Sequence, residues 1–218
     1  MAIHASGTHS PSKSGHEPGL EDAQILVQAL RASVITSPEA FSKSLKDVDE
    51  PDLEYWRRDI ARATWAVIEQ GDEVIGVAVA RRPHRRRDPR LKRNSARFIE
   101  SVWIAPESRR LHRGEWLMRY LMEVEYAKSY GKSPRVRHFL LWVFDNNKSA
   151  IALYEAIGFK YVERQELPDW HADHQPKYEL KYEYRLEPGS AETQAAAEKR
   201  DQDALEYGLT YRVLGEKR

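Results

Sequence analysis

From Leu141 to Phe159 the chain reads Leu-Trp-Val-Phe-Asp-Asn-Asn-Lys-Ser-Ala-Ile-Ala-Leu-Tyr-Glu-Ala-Ile-Gly-Phe, and no other stretch restricts the fold so strongly. His138 to Phe144 is a short apolar run with β propensity. Asp145, Asn146 and Asn147 then supply turn and helix-capping groups. Ile151, Tyr154 and Ile157 fall on adjoining turns of one helix, and Gly158 offers the backbone freedom that a C-terminal stop requires. Phe159 opens another strand. Tyr154 by itself reads as a packing residue; within the whole unit it sits where a strand hands over to a helix, in a layered α/β arrangement.

A second unit of the same kind lies about forty residues upstream, from Phe98 to Met118. Phe98 to Ile104 alternates as a strand, Pro106 ends it, and Leu117, Met118, Leu121, Met122 and Val124 form the apolar stripe of a helix. The loop between them, Arg109 to Glu115, is rich in arginine and closes with Gly114. Successive backbone N–H groups at a helix N-terminus point outward and, with the helix dipole, suit a pyrophosphate. A glycine there lets a ligand approach the backbone. An ordinary arginine-rich helix start explains the loop equally well by itself.

Together the two units resemble the GNAT family of acetyl-CoA-dependent N-acetyltransferases. The later one resembles its Asn-x-x-Ala-x-x-Leu-Tyr-x-x-x-Gly-Phe signature. The earlier one resembles its Arg/Gln-x-x-Gly-x-Gly/Ala motif, with Arg109 first and Gly114 last. The resemblance implies an α/β (α+β) GNAT fold, a mixed central sheet with flanking helices and splayed central strands, and acetyl-CoA as acetyl-donor cosubstrate. It implies that Arg109, Arg110, Leu111, His112, Arg113, Gly114 and Glu115 hold the cofactor phosphates and that the backbone of Val102, Trp103 and Ile104 bonds the pantetheine arm. Asn147 would contact CoA or cap its helix. Tyr154 would protonate the departing thiolate, with packing under CoA as its structural alternative. His112 stands where the family usually has its first glycine, so its side chain must turn away from the cofactor or meet a phosphate itself.

Amide formation sets further requirements. A protonated amine must lose a proton before it attacks a thioester, directly or through water. Glu100, the only acid from Phe98 to Ile104, is the candidate base, where several members of the family place a carboxylate; the alternative is that it faces water or pairs with Arg97. There is no cysteine, which excludes a disulfide framework, a thiolate metal site and an acetyl-cysteine intermediate. The expected reaction is direct transfer to a primary amine, whether a small molecule, a peptide N-terminus or a lysine. The rival is a catalytically weak GNAT-fold acyl-CoA sensor or scaffold.

With 218 residues, 41% of them apolar, the chain can bury one substantial core. The expected division is a disordered arm over residues 1–19, an acetyltransferase domain over 20–187 and a helix-and-strand extension over 188–218. His4, His9 and His16 in the arm are too widely spaced to indicate a metal site. No run suits a membrane span or signal peptide, which implies a cytoplasmic protein. Glu21 onward, Pro38 to Phe41 and Asp52 to Arg62 read as helical. Thr64 to Glu69 and Glu73 to Ala80 read as a hairpin about Gly71. Trp170, His171 and His174 fall in a polar loop before an alternating strand, Lys177 to Leu186.

Between Arg81 and Arg97 stand nine Lys or Arg and one acid, a local charge of +8 in a chain whose total is +1. Such a loop can steer an acidic acceptor, meet the 3′-phosphate of CoA or bind nucleic acid. No aromatic residue interrupts Arg81 to Arg93 to stack on bases, which favours a solvated loop. Residues from Ser190 to Glu206 read as a charged helix. Tyr207 to Leu214 alternates as a strand that must pair with something. It is expected to fill the first-strand position of its own domain, where Gly15 to Leu20 lacks strand character, or to reach a partner subunit as a homodimer.

Overall fold

The computed structural model describes residues 18–41, 43–84, 91, 94–167 and 177–216. Seven strands, β1 (Thr64–Gln70), β2 (Glu73–Arg81), β3 (Ala96–Ile104), β4 (His138–Phe144), β5 (Lys160–Glu166), β6 (Tyr178–Arg185) and β7 (Leu209–Val213), form one sheet in the order β5-β6-β4-β3-β2-β1-β7. The β3–β4 pair is parallel and every other neighbouring pair antiparallel. The helices are α1 (Leu20–Thr36), α2 (Leu45–Asp49), α3 (Leu53–Arg62), α4 (Arg113–Lys128), α5 (Lys148–Ile157) and α6 (Ala191–Tyr207). This is the expected mixed sheet with flanking helices.

Side-chain alternation along β1 assigns the two layers. Trp65 donates its indole N–H to Asp59 of α3 at 2.9 Å, while its neighbour Thr64 donates to Glu125 of α4. Helices α3 and α4 therefore lie on opposite faces. Helix α1 shares the α3 face, since Thr36 accepts from the Trp103 indole at 3.0 Å and Asp22 accepts from Arg212. Residues 65–68 and 75, 77, 78, 79 and 80 are buried, so β1 and β2 read as unbroken apolar runs because both of their faces are covered. On α4 the buried stripe is Leu117, Met118, Leu121 and Met122 and continues to Glu125, with Val124 half-buried. Glu125 goes inside because Arg97 and Thr64 meet its carboxylate.

The C-terminal segment completes the same sheet. Strand β7 pairs antiparallel with β1, Ala66 opposite Val213 through Gln70 opposite Leu209, which is the first-strand position of its own chain. Ser190 caps α6 by accepting from the Thr193 N–H at 3.2 Å. This helix spans 17 residues, about 25 Å. It carries the chain from Leu186, bonded to Arg137 beside the start of β4, to Leu209 beside the end of β1. It lies antiparallel to α4, as Arg200 with Glu123 (2.7 Å), Asp203 with Trp116 (3.0 Å) and Tyr207 with Arg113 succeed one another.

Most of the expected N-terminal arm lies outside the described residues, as do residues 85–90, 92 and 93 of the basic segment and Trp170, His171 and His174. No described helix is long and apolar enough to cross a membrane.

Candidate active site

The centre of the sheet opens. Strands β3 and β4 pair at three positions only, Ala96 with His138, Arg97 with Phe139 and Phe98 with Leu140. Beyond them β3 continues beside β2 and β4 beside β6. The edges facing each other past Phe98 and Leu140 have no partner strand among the described residues. This is the expected splay, and it leaves backbone amides of the β3 segment containing Val102, Trp103 and Ile104 facing a gap. A bulge shapes the segment: Val79 faces Glu100 and Val77 faces Trp103, so Ser101 and Val102 stand against Ala78 alone, two residues against one, with Ser101 at φ 53. The extra residue keeps Glu100 and Trp103 on one face of the sheet, the α1 and α3 side.

At the end of β3 a short 3-10 turn, Pro106–Ser108, leads into the arginine loop. Arg109 bonds from Nε to the Ile104 carbonyl at 2.9 Å and from Nη2 to Ser37 Oγ at 2.7 Å. Arg113 is buried, bonds Ser108 Oγ at 2.7 Å and covers the Tyr207 ring. These two guanidinium groups build the loop. Arg110 is exposed at φ 60 and makes no ion pair with a described residue, so it is the loop's available cation. Leu111 beside it is also exposed.

His112 occupies the N-cap of α4 in the left-handed region, φ 56 and ψ 1, and its side chain caps nothing. The first helical bond runs from Trp116 N–H to the His112 carbonyl. The N–H groups of Arg113, Gly114 and Glu115 precede that bond and are left to an external acceptor, the arrangement that suits a phosphate. The imidazole turns along the helix, with Nδ1 3.3 Å from Glu115 Oε2 and its ring 5.9 Å from that of Trp116. Glu115 is also tied to Arg119 at 3.0 Å. Gly114 serves packing rather than access: a Cβ there would come within 3.1 Å of Leu153 and 3.6 Å of Ile104. Its absence lets α4, α5 and the end of β3 converge.

Helix α5 follows β4 as the sequence predicts. Asn147 caps it, accepting from the Ala150 N–H at 3.2 Å, and Gly158 ends it at φ 107. Tyr154 is 6% exposed and packs 6.1 Å from the Phe159 ring. Burial pushes its phenol well above the usual range. No described group hydrogen-bonds its hydroxyl, which stays protonated and free to donate.

Glu100 lies across the sheet from that helix. Its side chain is half exposed, and Arg81 rather than Arg97 is its neighbour, Nε 3.2 Å from Glu100 Oε2. Alternation sends Arg97 to the other face, where it pairs with Glu125. Arg81 is itself fixed by Asp59, at 3.0 and 2.6 Å, and lies over the Trp65 ring. Lys43 completes the cluster, its ammonium 5.4 Å from the Trp56 ring; burial, and then the charge of Arg81, hold it below the usual lysine range. Sequence reasoning did not find Asp59 or Lys43 and placed Arg81 only in a basic loop. The cluster depends on the register Val79 to Glu100, which the bulge sets.

A groove of about 670 Å³ between α1 and the β1–β2 turn, lined by Gln24, Gln28, Glu69 and Asp72 among others, shares no lining residue with this site.

A family model described as the acetyltransferase (GNAT) family matches residues 30–159. Several solved structures share the fold. An acetyltransferase of the GNAT family from Streptococcus pneumoniae superposes with a TM-score of 0.59 at 18% identity, over 78% of this chain and 97% of that one. A ribosomal-protein-alanine N-acetyltransferase from Brucella melitensis gives 0.59 at 17%, over 78% and 98%. A putative acetyltransferase from Salmonella typhimurium, solved with its cofactor acetyl-CoA, gives 0.58 at 15%, over 79% and 93%. No curated protein matches the chain.

Proposed function

The chain belongs to the GNAT acetyltransferase family, and on that premise we propose that it moves an acetyl group from acetyl-CoA to a primary amine by direct transfer. The observation that carries this reading is the opening between β3 and β4, flanked at the end of β3 by the uncapped N–H groups of Arg113, Gly114 and Glu115. These features fit a ligand with amides along one stretch and a pyrophosphate at its end. Those backbone groups of the segment Val102, Trp103 and Ile104 that face the gap would pair with the amides, and Arg110 would add a cation near the phosphates. A left-handed His112 leaves the helix start open despite its side chain. Asn147 holds the start of α5 and so the position of Tyr154.

Acetyl-CoA supplies an activated thioester carbonyl. Glu100 takes a proton from the acceptor ammonium, directly or through water; the freed amine forms the C–N bond as the C–S bond breaks, and the nitrogen gives its second proton to solvent, leaving the amide and the CoA thiolate. Tyr154 donates a hydrogen bond to the leaving sulfur. Because burial raises its pKa far above a thiol's ordinary value of about 8.5, it stabilises the thiolate without losing its own proton outright.

The acceptor is a small-molecule amine, a peptide N-terminus or a lysine. The Brucella relative's name makes a peptide N-terminus a sensible member of any panel. A second reading, an acyl-CoA sensor with weak catalysis, is favoured by His112 and by the Glu115 carboxylate beside the helix start. A thiol-release assay with acetyl-CoA over a panel of amines, run beside calorimetric titration with CoA, separates the two. Release that depends on an amine supports the enzyme; tight binding without release under any acceptor supports the sensor; neither binding nor release rejects both.

A further inference from the structure

The end of the sheet where β3 and β4 begin carries a second surface, away from the cofactor loop at the other end of β3. There α4 finishes and residues 129–137 lead into β4. Tyr130 is 77% exposed, an aromatic ring held out in water. The Arg135 guanidinium lies 4.5 Å from its centroid and 5.2 Å from that of Tyr126, and bonds the Tyr126 hydroxyl at 2.6 Å. Arg137 covers the same Tyr126 ring at 5.6 Å. Lys132 is exposed and forms no ion pair with a described residue.

This cluster is continuous with the point where the basic segment re-enters the sheet, because the N–H groups of Arg137 and His138 both bond the Ser95 carbonyl at 3.1 Å. Arg82, exposed and unpaired among the described residues, marks where the chain leaves β2. Of the nearby acids Glu125 is engaged with Arg97, Glu216 with Lys128 and Glu183 with His138, while Glu187, next to the Leu186 that bonds the Arg137 carbonyl, is exposed. Lys132, Arg135 and Arg137 form no ion pair with a described residue and stand beside the exposed Tyr130 ring, with no exposed aliphatic residue in the cluster to enter a bilayer. The sequence between Arg81 and Arg93 lacked an aromatic; the fold supplies Tyr126 and Tyr130 from α4 and its C-terminal turn.

We propose that Tyr130, Arg135, Arg137 and Lys132 form a binding surface for single-stranded nucleic acid, independent of acetyl transfer. The cations track the phosphates, and a base stacks on Tyr130, whose ring is fixed from one side by Arg135. The chemistry is sequence-tolerant, since every base offers a π face.

The test is fluorescence anisotropy of the full chain with a labelled twenty-nucleotide oligouridylate RNA. The matching oligothymidylate, a duplex and phosphatidylserine vesicles serve as comparisons. Binding with a log K against log salt slope of about −2 or steeper is expected, roughly −0.7 per phosphate neutralised. Tyr130→Ala should weaken it by about fivefold or more, beyond any loss of charge. The double variant Lys132→Gln and Arg137→Gln should weaken it further and flatten the slope. CoA titration and the melting temperature of each variant report that the fold is intact. Equal affinity for RNA and DNA strands, or preference for RNA, supports the proposal. It is overturned if Tyr130→Ala binds unchanged, if the duplex binds as well as single strands, or if only the vesicles bind.

Discussion

Arg212 of β7 grips Glu69 of β1 at both carboxylate oxygens, 3.0 and 2.8 Å, and reaches Asp22 of α1 at 2.9 Å. One side chain thus fastens the last strand to its neighbour and to the first helix, and all three groups are largely shielded from water. Leu209, Val213 and Leu214 are buried with it. At about 1.5–3 kcal/mol for each buried aliphatic, the segment supplies several kcal/mol in a fold whose net stability is of order 5–15 kcal/mol. Deleting residues from Glu206 onward should lower the melting temperature by about 10 °C or more. A truncated protein that melts with the full chain would show that β7 adds nothing to the sheet.

The same contact gives a finer test. Arg212→Met keeps most of the aliphatic stem but leaves Glu69 and Asp22 facing each other without their shared cation. A loss of about 2–3 kcal/mol in urea unfolding is expected, less than for a fully buried pair. Adding Glu69→Gln to it should restore part of that loss, because one of the two stranded charges is gone. If the single variant costs under about half a kcal/mol, the clasp is ornamental.

Tyr154→Phe removes one hydroxyl and almost no packing. We expect kcat to fall by roughly ten- to a thousandfold while CoA affinity stays within a few-fold. The pH profile gives an independent reading. A buried phenol with a raised pKa remains protonated across and above the range where a free tyrosine ionises near 10. The unfolded chain then loses its proton first as pH rises. Tyr154 therefore contributes no loss of stability below about pH 9, and begins to favour unfolding as pH passes 10. Turnover unchanged in the variant, with chemistry rate-limiting, would remove Tyr154 from the reaction.

Glu100→Gln keeps the size of the side chain and removes its basicity. Turnover with a given amine should fall by roughly a hundred- to ten-thousandfold. Arg81→Met should have a smaller effect, since it disturbs the position of the carboxylate and not its chemistry. A Glu100→Gln enzyme retaining the parent turnover, with chemistry rate-limiting, would assign the proton transfer to another group or to solvent.

What was legible in the sequence was local. His138 to Phe144, the Asn147 cap and the Gly158 stop follow from propensity and capping within one short unit, and the structure reproduces each. The partner of Glu100 was not legible. Arg97 is three residues away, but alternation puts it on the other face, whereas Arg81 arrives through β2 in a register shifted by the Ser101 bulge. Glu125 entered the core for a similar reason: its partners Thr64 and Arg97 are distant in sequence, so an apolar-stripe reading chose Val124. Tyr207 to Leu214 announced a strand; only the assembled sheet shows that its partner is β1.

His112 supplies the sharpest test of the cofactor loop. It holds φ 56, a conformation that costs a side-chain-bearing residue about 1 kcal/mol and glycine nothing. The compensating contacts, to Glu115 at 3.3 Å and to the Trp116 ring, are made by an imidazole that is itself 62% exposed and are worth little. His112→Gly should therefore raise stability by up to about 1 kcal/mol, and it removes a side chain from the helix start without removing its N–H groups. If a phosphate is held there, acetyl-CoA should bind the variant at least as tightly as the parent and stabilise both by linkage, about 2.7 kcal/mol at a hundredfold excess over Kd. A variant that is more stable yet has lost acetyl-CoA binding would mean that the imidazole itself is a phosphate ligand. Absence of any acetyl-CoA-induced shift in either protein, with no binding by calorimetry, would mean that the chain does not bind acetyl-CoA and would reject the site itself.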